Sequence, residues 1–460
     1  MTFTSGIFLI GLMPWFIILY QLLGVKKNII KCRIILILLA NSIFYAGGGM
    51  GSFIFLCLYS IIIYFLEYLE LKLHKKWLFV FSLIIAAFPL ICIKYITFAI
   101  DNINSIFGSN IISPSIIVPV GISFFSFEAI SLLADTHKGK IRGANLIYIY
   151  IYLSFFPTIT SGPIIRFDEF EQGVNNPTAC KINYFDAVER IIIGLSKKVL
   201  IADKIAALAN YYFDGVAVGN NYSTIGFWMG SIAYTLQLYF DFSGYSDMAI
   251  GIGALLGFNI RENFDKPYQS SSISEFWKKW HISLTRWFRD YIYIPLGGNR
   301  CKISRHLLNM LIVWLLTGIW HGADWTFIIW GLGYFVLLII EKYTPLAKRI
   351  SFTVLGRIYT LFFVNILWVF FRADNLNVAN QFLKGMFGGG TGLIEDKALH
   401  FLPFTGAVVV LCFPWNKWLV RFSDKRYFRI IKPGMLILLT GLAVCASVNS
   451  SYAPYIYGKF

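Results

Sequence analysis

Charge is scarce in this chain. Asp, Glu, Lys and Arg make up 14% of its 460 residues, against about 25% in an ordinary soluble protein. So few charges cannot clothe a chain that is 57% hydrophobic and 18% aromatic, which excludes a soluble globule and points to a polytopic membrane protein. The usual prior of length over 150 residues per soluble domain therefore does not apply, and one membrane-embedded unit over 1–460 is expected. Cysteine is sparse and scattered: Cys32, Cys57, Cys92, Cys180, Cys301, Cys412 and Cys445 stand singly, mostly inside apolar runs. Without a CxxC or paired spacing, neither a disulfide framework nor a zinc site is supported, and no metal is expected. Phosphate-binding glycine loops, GxSxG elbows and HExxH helices are missing too, which removes the usual marks of a serine hydrolase or metalloprotease. There is no internal repeat, low-complexity tract or soluble linker domain.

What is present is apolar sequence along nearly the whole length. Windows lie near 5–23, 34–47, 52–66, 77–93, 114–134, 146–162, 189–212, 225–241, 245–258, 307–321, 325–341, 354–371, 401–413 and 435–453. Crossing the hydrocarbon takes roughly 20 residues, so the shorter windows predict tilted, re-entrant or interfacial segments alongside about eleven true crossings. The expected class is all-α, with the helices enclosing a central cavity or tunnel. The first window lacks a basic lead-in and a cleavage site and reads as a retained span. Net charge is +16, from 40 basic and 24 acidic residues. In such a chain the excess reports cytoplasmic loops and lipid headgroups rather than nucleic acid. Lys26, Lys27, Lys31 and Arg33 follow the first window, which puts the N-terminus outside; Lys138, Lys140 and Arg142 mark another cytoplasmic loop.

The interval 261–306 is the longest polar one, with Arg261, Lys266, Lys278, Lys279, Arg286, Arg289, Arg300, Lys302 and Arg305 against Glu262, Asp265, Glu275 and Asp290. Ser272 and Glu275 have capping-box spacing. From there Trp277, Trp280, His281, Leu284, Trp287, Phe288 and Tyr291 recur at helical steps, which predicts one amphipathic helix. Its basic residues Lys278, Lys279, Arg286 and Arg289 suit anionic lipid headgroups or an anionic ligand. His281 lies on the aromatic face, where a satisfied core histidine is the plainer reading and a functional role the sharper one.

A second histidine, His321, sits in LTGIWHGADWTFIIWG between two apolar runs. An ionisable group beside hydrocarbon is costly unless it is paired or used. It is either a hydrogen-bonded junction residue, with Asp324 as one partner, or a general base, since imidazole titrates near neutral pH. Tyr239–Asp247, YFDFSGYSD, interrupts another apolar run with Asp241, Ser243 and Asp247, which suit helix capping around Gly244, cavity lining, ion coordination or a proton path.

Taken together, PVGISFFSFEAISLLAD (119–135), FFPTITSGPIIRF (155–167), YFDFSGYSDMAIG (239–251), NFDKPYQSSSISEFWKKWHISLTRWFRDYIYIPLGGNR (263–300), TGIWHGADWTFIIWG (317–331) and APYIYGKF (453–460) resemble the membrane-bound O-acyltransferase family. The nearest branch is that of bacterial polysaccharide O-acetylation proteins, similar to the alginate O-acetylation protein. The resemblance implies that the family's two marked histidines fall on His281 and His321, with His321 the base inside a membrane tunnel. It also implies a site lined by Trp280, Trp320, Asp241, Ser243, Asp247 and Asp324. No tightly bound cofactor is implied; acetyl-CoA is the expected donor, contacted at Lys278, Lys279, Arg286 and Arg289. The expected partner is an extracytoplasmic SGNH-type acetyltransferase or a polymer-biosynthesis protein, in the bacterial inner membrane. Tyr334 stands where many relatives have histidine, and Asp324 where a small residue is common. D-alanyl transfer to teichoic acid is the alternative inside the family, and a proton-coupled transporter or export scaffold the alternative outside it.

Overall fold

The computed structural model describes residues 7–23, 30–114, 116, 118–176, 183–350, 352–412 and 426–449. Lys26, Lys27, Cys180 and the terminal APYIYGKF motif lie outside the described residues. Every regular element among the described residues is helical. Five helices are long and apolar enough to cross a membrane: Met50–Leu73, Lys76–Phe107, Ile303–His321, Trp325–Tyr343 and Val354–Arg372; Met13–Leu22 and Ile431–Ser447 are apolar but shorter. The described residues group into two compact units, one within Met1–Ile191 and Tyr245–Arg261 and the other within Ile192–Gly244 and Glu262–Ile456.

In the first unit Met50–Leu73 and Lys76–Phe107 outrun the apolar windows that signal them, reaching 24 and 32 residues. The first continues because its acidic residues are buried and partnered. Glu67 accepts a hydrogen bond from the Ala144 amide at 3.3 Å, and Glu70 bonds the His137 ring. One face of this helix buries Leu56, Tyr59, Ile63 and Leu66, while Ile54, Leu58, Ile61 and Phe65 are exposed on the other. Such an apolar outer row would be a liability in water and is what lipid requires. The Ile122–His137 helix begins after Gly121, whose φ is +75° and whose absent Cβ would fall 2.5 Å from the Ile159 carbonyl oxygen; only glycine meets both demands. Buried Asn41 donates to the Ile151 carbonyl at 3.1 Å and accepts from the Phe156 amide at 3.2 Å, holding the end of Leu146–Leu153 where the FFPTITSG motif begins.

In the second unit Ile303–His321 and Trp325–Tyr343 make a close pair. A Cβ on Gly331 would meet the Trp314 carbonyl oxygen at 2.5 Å, and one on Gly318 the Phe327 carbonyl oxygen at 2.5 Å. The bare glycines thus let two backbones approach as they do in other membrane helix pairs. That approach fixes where His321, the last residue of the first helix, is held.

Candidate functional site

His321 is 2% exposed. Its ring lies 4.6 Å from that of Trp320, 4.8 Å from Trp330 and 5.0 Å from Phe371. Gly322 ends the helix in extended backbone. Asp324, one of the partners considered for the imidazole, instead caps the next helix, its Oδ1 accepting from the Thr326 amide at 2.8 Å. Trp320 also reaches the second histidine, its ring 6.2 Å from that of His281. The two imidazoles therefore share one indole neighbour.

The single amphipathic helix expected through this interval is not formed. Half of the capping box forms: Ser272 Oγ accepts from the Glu275 amide at 3.0 Å, while the Glu275 carboxylate accepts from the Ser271 amide and hydroxyl at 2.8 and 2.9 Å, one residue before the N-cap. Buried Glu341 takes the Ile273 and Ser274 amides at 2.6 and 2.8 Å. The chain then breaks into Ile273–Lys279 and Ile282–Phe288, with His281 between them at φ +44°, ψ +55°. Asn263 causes the break. Its backbone carbonyl accepts the Ile282 amide at 3.0 Å, and its Oδ1 accepts the Ser283 amide at 3.1 Å and the Ser283 hydroxyl at 2.9 Å. Because a backbone N–H can only donate, the amide orientation of Asn263 is settled. His281 Nδ1, 3.2 Å from the same oxygen, must then carry the proton and donate. Burial pushes the His281 pKa down to about 3, so the ring is neutral at physiological pH, with Nε2 as its basic nitrogen. The Phe242 ring stands edge-on to it at 4.7 Å.

A non-glycine residue in the left-handed region is tolerated by Asn or His but is a true strain for a β-branched side chain. His281→Val is therefore expected to destabilise the protein by roughly 1–3 kcal/mol more than His281→Asn, read as the difference in their unfolding midpoints in detergent. Equal midpoints would mean that the conformation at 281 is not what matters there.

Asp241, Ser243 and Asp247 do not cap a helix end. Thr224–Leu255 runs unbroken through Gly244, so the two windows 225–241 and 245–258 are one helix. Its carboxylates survive by ion pairing. Asp241 sits 2.6 Å from Lys198 Nζ, which is also 2.7 Å from Asp203, and Asp247 is held by Arg190 at 3.0 and 3.1 Å. Ser243 is buried. Trp280, 1% exposed, packs 5.1 Å from Trp368 and 5.0 Å from Phe264, and Tyr334, fully buried, packs 4.9 Å from Trp277. Of the four basic residues, Lys278 and Arg289 line a cavity of about 250 Å³ with Trp277, Leu284, Phe288 and Trp314. Lys279 pairs with Glu275 at 2.7 Å, and Arg289 with Asp290 at 2.7 Å. Glu341, Lys198 and Arg190 escape the sequence reading, and Asn263 enters it only as part of the 263–300 motif, since their roles arise from partners distant in the chain.

Two imidazoles buried among aromatic rings, one with its proton fixed, are a set suited to proton transfer. The comparisons with known proteins say which kind. A family model described as membrane-bound O-acyltransferase matches residues 82–382, a stretch that holds both histidines and every helix around them. The "Probable alginate O-acetylase AlgI" of Pseudomonas aeruginosa is 39% identical over 86% of this chain and 76% of its own. The "Peptidoglycan O-acetyltransferase" of Helicobacter pylori is 35% identical over 87% and 83%. The "Teichoic acid D-alanyltransferase" of Bacillus subtilis is 30% identical over 53% and 66%. With a matched stretch of that extent and relatives aligned over most of both chains, this multi-pass membrane protein is an acyltransferase and belongs to the membrane-bound O-acyltransferase family.

Proposed function

We propose that the protein takes an acetyl group from cytoplasmic acetyl-CoA and passes it across the bacterial inner membrane for O-acetylation of an extracytoplasmic polysaccharide or wall polymer. The observation that carries this is the buried His321 in its aromatic surround, inside a chain whose O-acetylating relatives align over nearly nine-tenths of it. His321 accepts the proton of an acceptor hydroxyl as that oxygen attacks the thioester carbonyl; the thiolate leaves and takes the proton. His281 orients or relays through its basic Nε2. Trp280, Trp320, Ser243 and Asp324 line the path, and Asp241 and Asp247 brace it. Lys278, Lys279, Arg286 and Arg289 attract the anionic CoA phosphates. In this reading about eleven crossings surround a tunnel, the N-terminus is outside, and an SGNH-type acetyltransferase or polymer-biosynthesis partner completes the transfer.

A second donor is favoured by the D-alanyltransferase match, though over little more than half of the chain. The two separate in proteoliposomes given radiolabelled acetyl-CoA or D-alanyl carrier protein, each with the genomic-neighbour partner present. Acetyl release or transfer from acetyl-CoA alone is the expected result. Turnover of the D-alanyl thioester alone would overturn it.

A further inference from the structure

At one end of the first unit, three ligand-bearing side chains converge away from the two histidines discussed above. Glu70 belongs to the last turn of Met50–Leu73, His74 follows that helix, and His137 ends Ile122–His137. One potential ligand atom from each lies within 4.8 Å of the others. We propose that Glu70, His74 and His137 form a binding site for a divalent transition metal of the zinc class, clipping the ends of two helices that are distant in sequence.

Three observations carry this. The Glu70 carboxylate is fully buried; one oxygen bonds the His137 ring, while Oε2 has no hydrogen-bond partner. A buried carboxylate oxygen left so is costly unless something else fills its place. His74 occupies the left-handed position that closes a helix, with φ +45° and ψ +44°, where glycine is the usual occupant. A histidine kept there sets its ring 4.9 Å from that of His137, which Phe79 holds from a further side at 4.2 Å and 8°. Both helices also direct their carbonyl ends to this place, which favours a cation.

The chemistry of the set narrows the ligand. Two imidazole nitrogens and one carboxylate suit zinc, nickel, copper or cobalt and are poor for magnesium or calcium, which take oxygen ligands. Bonds of about 2.0–2.2 Å leave a fourth position for water. The His137–Glu70 hydrogen bond occupies the place the metal takes, so binding displaces the shared proton to solvent. His74 is exposed and needs only a side-chain rotation to join. Lys140 does not oppose the charge, being paired with Asp135 at 2.9 Å.

The alternative is that His137 and Glu70 form an ion pair and nothing binds. The full chain in detergent, stripped with chelator and dialysed against Zn²⁺ alone, separates the two by metal content and by titration against a chromophoric chelator. We expect one zinc per chain and a rise in unfolding temperature on adding Zn²⁺. His74→Gly suits the left-handed backbone and so keeps the fold, yet should weaken binding at least tenfold and abolish the thermal shift; Glu70→Gln should do the same. His400→Ala, an exposed histidine elsewhere, should bind as the unaltered chain does. A chain that retains no zinc, or a His74→Gly variant that binds it equally well, overturns the site.

Discussion

His321→Gln is expected to lower acyl transfer by roughly 10²–10⁴-fold, the usual contribution of a positioned general base, with little change in the amount of folded protein. Glutamine is chosen because the ring is enclosed by Trp320, Trp330 and Phe371, and truncation to alanine would leave a cavity whose cost could be mistaken for lost chemistry. The loss should fall on kcat, with KM for the donor nearly unaltered, since the base acts on the acceptor's proton and not on the bound thioester. Radiolabelled acetyl transfer in proteoliposomes, run beside a thermal melt, reads both. A variant that melts normally and retains most of its turnover would remove His321 from the chemistry and leave His281 as the next base to test. A variant that melts early would show that the histidine mainly holds the junction between Ile303–His321 and Trp325–Tyr343.

What the sequence shows of this protein follows from how local each cause is. His321 stands out because the residues flanking it are apolar, and a lone imidazole there has no local explanation. The N-cap at Ser272 is likewise local, and it forms. The break at Trp280–His281 could not be seen, because the aromatic residues continue at helical spacing across it. The residue in the left-handed position is a histidine rather than a glycine, and the oxygen that stabilises the turn comes from Asn263, 18 residues earlier. The YFDFSGYSD stretch misleads for the same reason. Two carboxylates in an apolar run look like an interruption, whereas the helix Thr224–Leu255 continues because Lys198 and Arg190 neutralise them from another segment. Helix lengths err the same way. The apolar window near 52–66 stops short of Glu67 and Glu70, yet both are buried within Met50–Leu73.

Lys198→Met is expected to destabilise the protein by about 3–5 kcal/mol, the range for removing one partner of a buried ion pair. Lys198 and Asp241 are each 2% exposed and Asp203 18%, so the ammonium pairs with two carboxylates at once. Without it they repel in a poorly solvated place, and at least one must take up a proton or the helices must part. Asp241→Asn should cost less, because Lys198 keeps Asp203. The double variant Lys198→Met with Asp241→Asn should then lie nearer to the unaltered protein than Lys198→Met alone, a non-additivity that marks direct coupling. Unfolding midpoints in detergent give the comparison, and a Lys198→Met variant within about 1 kcal/mol of the parent, a surface-pair value, would mean that water reaches the triad. The consequence extends to the site. Asp241 is followed by Phe242, whose ring meets His281 edge-on, so the ion pair lies one residue from the side chain that packs on that histidine. Any loss of acyl transfer in Lys198→Met should accordingly be partly restored in the double variant, in step with its recovered stability.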